Sequence, residues 1–186
     1  APTLLAPDTS GEVLTTKGAG ALPAFDAGGK VLQVVTMVKT DDSSITSSSS
    51  ATFQDLPGLT QAITPSASSS TILILGSVTL SNAVGTIHAR LVRDSTAIGV
   101  HDTVSGSHRS TFGSRIASTP YSLHAEPLSF IFEDSPSTTS ATTYKIQAML
   151  GTTYSGTVTV NKPQGAAGAD YDVRSISTIT LMELAG

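Results

Sequence analysis

One run of residues, STILILGSVTL at Ser70–Leu80, constrains the fold more than any other part of the sequence. Read with the two-residue period of a β-strand, one face of this run is apolar throughout and consists of Ile72, Ile74, Gly76, Val78 and Leu80. The opposite face is apolar only in its first half, at Leu73 and Leu75. Because both faces need cover, the pattern predicts a central strand whose second face packs on a neighbouring sheet or subunit.

Shorter alternating segments recur along the rest of the chain and predict further strands. They lie at residues 30–39, 52–63, 86–94, 97–100, 128–132, 144–150, 158–160 and 175–184. Pro57–Gly58 interrupts the second of them, which predicts a bent or bulged edge strand. The serine-rich residues 41–44 and 47–50 are expected to form a loop.

No segment places apolar residues at the spacing of an amphipathic helix, so we expect little helix. About eight or nine strands joined by long connections predict an all-β fold, a two-sheet β-sandwich of jelly-roll type. Residues 30–186 would form this domain.

Residues 1–29 differ from the rest because prolines, glycines and isolated apolar residues follow no regular period. The segment should be extended or looped. It is either a partly ordered tail or a docking arm, and its apolar side chains favour the arm. The side chains expected to dock are Leu4, Leu5, Leu14, Leu22 and Phe25.

Composition excludes several classes of function. The net charge is −4 and the basic residues are scattered, so the clustered Lys and Arg of a nucleic-acid binder are missing. No run reaches the roughly 18 apolar residues of a membrane helix, and no signal peptide is recognisable, so we expect a complete gene product made in the cytoplasm. The chain has no cysteine, which excludes disulfides and thiolate metal sites.

His101–Asp102, followed by Ser105, Ser107 and His108, supplies the residue types of a catalytic triad. A serine-rich polar loop supplies such residues by chance, and the G-x-S-x-G motif of a serine hydrolase is absent. We therefore expect this loop to be catalytically passive and the protein not to be an enzyme.

Metal and cofactor signatures are also missing. The histidines lack the spacing that places two imidazoles on one side of an element, and Asp170 and Asp172 lack the frame of a calcium loop. Glu133 and Asp134 could suggest a glycosidase pair, but neighbouring residues of a strand point to opposite faces. We expect no catalytic, cofactor-binding or metal-binding residue.

Several segments together resemble small structural proteins of marine and freshwater bacteriophages, described as virion structural or tail fibre-like proteins. They are GKVLQVV (Gly29–Val35), LVRDSTAIGV (Leu91–Val100), DSPSTTSATTYKIQ (Asp134–Gln147) and STITLMELAG (Ser177–Gly186). The stretch GEVLTTKGAGALPAF (Gly11–Phe25) is similar to linkers that precede distal domains in phage fibres.

This resemblance implies a β-sandwich that assembles as a homotrimer on a virion, after synthesis in the cytoplasm of the host bacterium. Its partners would be copies of itself and the major capsid protein or a tail component. No fibre-shaft repeat is found and tryptophan is absent. We therefore expect a capsid decoration (cement) protein that stabilises the head. The alternative is a tail fibre-like or receptor-binding part, possibly glycan-binding. Leu73 and Leu75 are the expected subunit interface.

Overall fold

The computed structural model describes residues 12–15, 19–20, 24–27, 31–47, 52–101, 111–116, 124–151, 153–165, 168 and 172–186. Every helix or strand element in these ranges is a β-strand, which confirms the all-β prediction. The strands are β1 (Glu12–Thr15), β2 (Ala24–Ala27), β3 (Val31–Lys39), β4 (Ser43–Ser47), β5 (Gln54–Ile63), β6 (Thr71–Ser81), β7 (Thr86–Arg93), β8 (Thr96–Ile98), β9 (Gly113–Ile116), β10 (Glu126–Asp134), β11 (Thr142–Leu150), β12 (Gly156–Val160) and β13 (Ser177–Leu184). The described residues contain no helix that is long and apolar enough to cross a membrane.

Two antiparallel sheets make the sandwich. The first sheet has the main order β10–β6–β13–β3, with β12 paired to the end of β6 and β4 paired to β12. The second has the order β5–β11–β7–β8, with β9 also paired to β7. If the eight main strands β3, β5, β6, β7, β8, β10, β11 and β13 are lettered B to I in chain order, the first sheet reads GDIB and the second CHEF. That is the strand order of a jelly roll, which confirms the predicted fold class.

The core lies between the two sheets, where the alternating residues of each strand meet. As predicted, Ile72, Ile74, Val78 and Leu80 of β6 are fully buried, and β10 and β13 flank this central strand. Opposite them lie the buried side chains of the second sheet, which include Leu56, Leu59, Ile87, Leu91, Tyr144, Ile146 and Leu150. Packing of these two layers is the main source of stability that this architecture offers.

Gly76 sits in the middle of β6 because an aromatic ring occupies the space of its side chain. A Cβ atom at this position would lie 2.2 Å from Cζ of Phe130, the residue directly opposite on β10. The Phe130 ring also contacts Phe112, with ring centroids 4.5 Å apart. Glycine therefore lets the ring cover the strand and complete the core.

The prediction of a loop around residues 41–50 was wrong in part. Ser43–Ser47 forms β4, which pairs with β12, and β12 in turn pairs antiparallel with the last two residues of β6. Ile45 is the single buried apolar side chain of this strand, and the Ser47 hydroxyl accepts a hydrogen bond from the backbone N–H of Leu150 at 3.0 Å. One inward apolar residue is too weak a pattern to distinguish a short strand from a loop.

The bulge predicted in β5 is present. Its pairing with β11 shifts register between Lys145 and Gln147, opposite Pro57–Gly58, and Gly58 has a positive φ of 76°. Among the described strands, β5 pairs with β11 alone, as an edge strand does.

Asn161 joins the ends of four strands in a buried polar cluster. Its side-chain N–H donates to the carbonyls of Lys39 and Asp41, both at 2.9 Å, and its Oδ1 accepts from the Ser177 hydroxyl at 2.6 Å. Its backbone N–H donates to the carbonyl of Thr79 at 3.0 Å. Asn161 adopts φ of 64°, which asparagine tolerates better than most residues do.

The described part of the N-terminal segment is a small antiparallel hairpin, which the sequence pattern did not predict. Of the strands that the structure describes, β1 and β2 pair with each other and with no other, and Leu14 lies opposite Phe25.

Candidate interaction surface

The second face of β6 belongs to a broad sheet surface that carries almost no charge. Strand register places the outward residues of β3, β13, β6 and β10 in three rows. The rows are Val34, Met182, Leu73 and Glu133; Thr36, Thr180, Leu75 and Ile131; and Val38, Thr178, Ser77 and Ser129. We call this surface the outer face of the first sheet.

Apolar groups at the rims of this face are open to solvent. Ile131 is 73% exposed, Val34 is 53% exposed and Val38 is 51% exposed, whereas Leu73 and Leu75 in the centre are half-buried between their neighbours. Glu133 is the only charged residue in the three rows. A contiguous, exposed and nearly uncharged sheet face is unusual for a surface that functions in water.

Four hydroxyl groups of this face bond in pairs across the strands. The side-chain oxygens of Thr36 and Thr180 are 3.0 Å apart, and Ser129 donates to Ser77 at 3.4 Å. Because these polar groups already have partners across the strands, a second surface could displace water from them at reduced cost.

The outer face of the second sheet is different, because charged and amide groups cover it. Asp55 binds Lys145 at 2.8 Å and Gln147 at 2.6 Å, and the bond from Lys145 lowers the pKa of the Asp55 carboxyl from its usual value. Arg90 donates to Gln147 and stacks on Phe53, with its guanidinium carbon 4.1 Å from the ring centroid. This face suits contact with solvent.

A buried carboxylate fixes β3 against β13 at one end of the first sheet. Glu183 accepts hydrogen bonds from Gln33 Nε2 at 2.6 Å, from the backbone N–H of Ser66 at 2.6 Å and from the Ser66 hydroxyl at 2.5 Å. Burial alone would raise the pKa of this carboxyl, but the hydrogen bonds from Ser66 and Gln33 outweigh it and lower the pKa to about 2. The edge strand is therefore held rigidly at this end.

The predicted site residues are placed as follows. Leu73 and Leu75 lie in the centre of the outer face, and Leu14 of the predicted arm is 53% exposed. Leu4, Leu5 and Leu22 lie outside the described residues, and only the backbone of Phe25 is described.

The structure describes only His101 of the residues with the types of a catalytic triad. The others, Asp102, Ser105, Ser107 and His108, lie outside the described residues. Glu133 is exposed and Asp134 is buried, which confirms that these two acids point to opposite faces. Within the part of the chain that the structure describes, no group of three or more His, Asp or Glu residues could hold a metal ion.

The expected interface did not include four further residues of this face: Val34, Val38, Met182 and Ile131. One signal for them exists in the sequence: β3, like β6, has apolar residues on both faces. The contribution of β10 and β13 depends on register across the sheet, which the sequence does not show.

Comparison with known proteins gives only distant similarity. No family model and no curated protein matches the chain. Similar solved structures include the infectious bursal disease virus Gt strain (12% identity, TM-score 0.44, covering 99% of this chain and 47% of that chain). They also include the Gx strain of that virus (12%, 0.40, 94% and 43%) and its VP2 subviral particle (13%, 0.36, 94% and 43%). The chain thus spans less than half the length of these structures, and the likeness is too distant to bear on function.

Proposed function

We propose that this chain is a non-enzymatic structural subunit of a bacteriophage virion, specifically a trimeric capsid decoration protein. Its outer face on the first sheet would be buried in the assembled particle, against copies of the chain and the capsid surface. The second sheet would face solvent.

The difference between the two sheet faces carries this proposal. One face holds an ion pair, bonded amides and a stacked arginine, whereas the other holds a single carboxylate among aliphatic side chains and paired hydroxyls. An apolar side chain that moves from water into a contact contributes roughly 1.5 to 3 kcal/mol when it is fully buried. Burial of several such residues at once favours an assembly subunit.

The trimer and the phage setting rest on the resemblance of Gly29–Val35, Leu91–Val100, Asp134–Gln147 and Ser177–Gly186 to phage structural proteins. A trimer also presents three N-terminal arms to one scaffold. Once one arm binds, the others bind at high effective concentration, so modest contacts from each suffice.

The proposal is tested with antibodies against the purified chain, applied to particles of the phage that encodes it. Label over the head in electron micrographs is the expected result. Label at the tail tip would replace decoration with the tail fibre-like role. In both cases, mass spectrometry of purified particles should also detect the chain. Its absence from all particles would refute a virion role.

A further inference from the structure

Strands that form the edges of the sandwich differ in how they are protected against pairing with another chain. An open edge presents a row of unpaired backbone N–H and C=O groups, and proteins usually block it with proline, charge, a bulge or short length. The described edge strands here are β3, β4, β5, β8, β9 and β10.

All of these edges except one carry such a block. β5 contains Pro57 and a bulge, and β10 contains Pro127 between the exposed charges of Glu126 and Glu133. β4, β8 and β9 are short, with five, three and four residues. These strands are poor templates for an added strand.

β3 is the exception. It runs for nine residues, VLQVVTMVK, without proline and without charge before its last residue. That residue, Lys39, cannot act as a blocking charge because its side chain is only 4% exposed and binds Asp41 at 2.9 Å. Among the described strands, only β13 pairs with β3, so no described strand covers its second side.

We propose that the open edge of β3 pairs with β3 of a second copy of this chain, antiparallel, across a two-fold axis. The two first sheets would then join into one continuous sheet. A two-fold contact is self-complementary, so each residue of the strand meets a residue of the same strand. Because no residue before Lys39 is charged, no like charges meet near the axis.

The chemistry and length of the edge favour a second β3 over the N-terminal arm as the occupant. The two strands described in the arm, β1 and β2, have four residues each and already pair with each other. Either one would cover less than half of a nine-residue edge. A second β3 matches the full length of the edge. This contact uses the strand edge and is separate from any three-fold contact through Leu73 and Leu75.

The natural absence of cysteine makes a clean crosslinking test possible. The full chain is made as V34C, T36C or V38C, with T96C on the exposed edge strand β8 as the matched control, and each is oxidised mildly. Opposed residues of an antiparallel pair are close enough for a disulfide. An equimolar mixture of V34C and T36C reports the register centred on Val35.

We expect at least one variant, or the mixture, to convert completely to covalent dimer, at a rate at least tenfold above T96C. At a three-fold axis, three cysteines meet, and only two of them can form a disulfide. One third of the thiols would then stay free. A plateau at two thirds, or rates no higher than the control, would therefore overturn the proposal.

A second measurement uses no cysteine. V34K should weaken the two-fold association at least tenfold in sedimentation, whereas T96K should not, since lysine at an edge opposes strand pairing. If β3 of the wild-type chain shows slow amide exchange but no cysteine variant crosslinks above the control, the edge has another occupant, such as the arm, and the proposal is overturned.

Discussion

Asp134 of β10 and Arg93 of β7 tie the two sheets together: Nη1 of the arginine donates to both carboxylate oxygens, at 2.7 and 2.8 Å. The hydroxyl of Tyr144 on β11 donates to the same carboxylate at 2.6 Å. Burial, together with this bond to Asp134, raises the pKa of Tyr144 above its ordinary value, so the tyrosine stays a donor. One carboxylate thus holds strands from both sheets.

Removal of this carboxylate should be costly. Asp134→Ala leaves the Arg93 and Tyr144 donors without their acceptor, and we expect a loss of about 3 kcal/mol in the free energy of unfolding. Tyr144→Phe removes a single hydrogen bond and should cost about 1 to 2 kcal/mol. Urea unfolding of both variants checks the order, and a larger loss for Tyr144→Phe would contradict it.

Glu183 predicts a loss of stability in acid. Its pKa is about 2 in the folded chain against an ordinary value of 4.5, so its contribution is fully present above pH 4.5 and disappears as the pH falls toward 2. The stability difference between the wild type and Glu183→Gln should therefore shrink across this range. Denaturant unfolding at pH 7, 4.5 and 2.5 measures it, and a difference that is constant with pH would contradict this role.

Gly76→Ala should destabilise the chain by about 1 to 3 kcal/mol, because the new methyl group overlaps the Phe130 ring. A smaller residue at position 130 should relieve the overlap. Gly76→Ala combined with Phe130→Leu should therefore cost less than the sum of the two single changes. Simple additivity in thermal or urea unfolding would show that the ring moves freely.

Leu75→Asp should weaken assembly, because an unpaired charge buried in an apolar contact costs several kcal/mol. Light scattering should give the mass of a trimer, or of two trimers where β3 also pairs across its two-fold axis, for the wild type and a smaller mass for the variant. Thr60→Asp, on an exposed position opposite Lys145 in the second sheet, is the control and should leave the mass unchanged. A wild-type chain that is monomeric at micromolar concentration would refute the trimer.

Deletion of residues 1–25 should leave the sandwich folded, because the core residues that the structure describes lie beyond them. We expect the shortened chain to lose attachment to particles that lack the native protein, since the apolar anchors of the arm are gone. Circular dichroism checks the fold and co-sedimentation checks attachment. Attachment equal to that of the full chain would make the segment an ordinary tail.

Elements with a strong local pattern were predictable from sequence. β6 followed from its alternating aliphatic residues, and the bulge in β5 followed from Pro57–Gly58, because both signals lie within a few neighbouring residues. β4 was missed because Ile45 is alone among serines and threonines, and its pairing with β12 is a long-range contact.

The interaction surface was predictable only in part, for a related reason. Leu73 and Leu75 belong to the most apolar run, so the sequence already indicated that the second face of this strand needs cover. Val34 and Ile131 join them only because β3 and β10 flank the two central strands in a particular register. Such neighbours across a sheet are fixed by the fold and not by local composition.

The Asn161 cluster has a consequence for how the chain folds. Its hydrogen bonds join segments around residues 39, 79, 161 and 177, so the cluster cannot close until chain from both ends of the domain has arrived. Contacts of such long sequence separation form slowly because loop closure precedes them. We therefore expect the hydrogen bonds of Asn161 to form late in folding. The rows of the outer face likewise exist only once β3, β6 and β13 are paired in register, so an incompletely folded chain does not yet present that face.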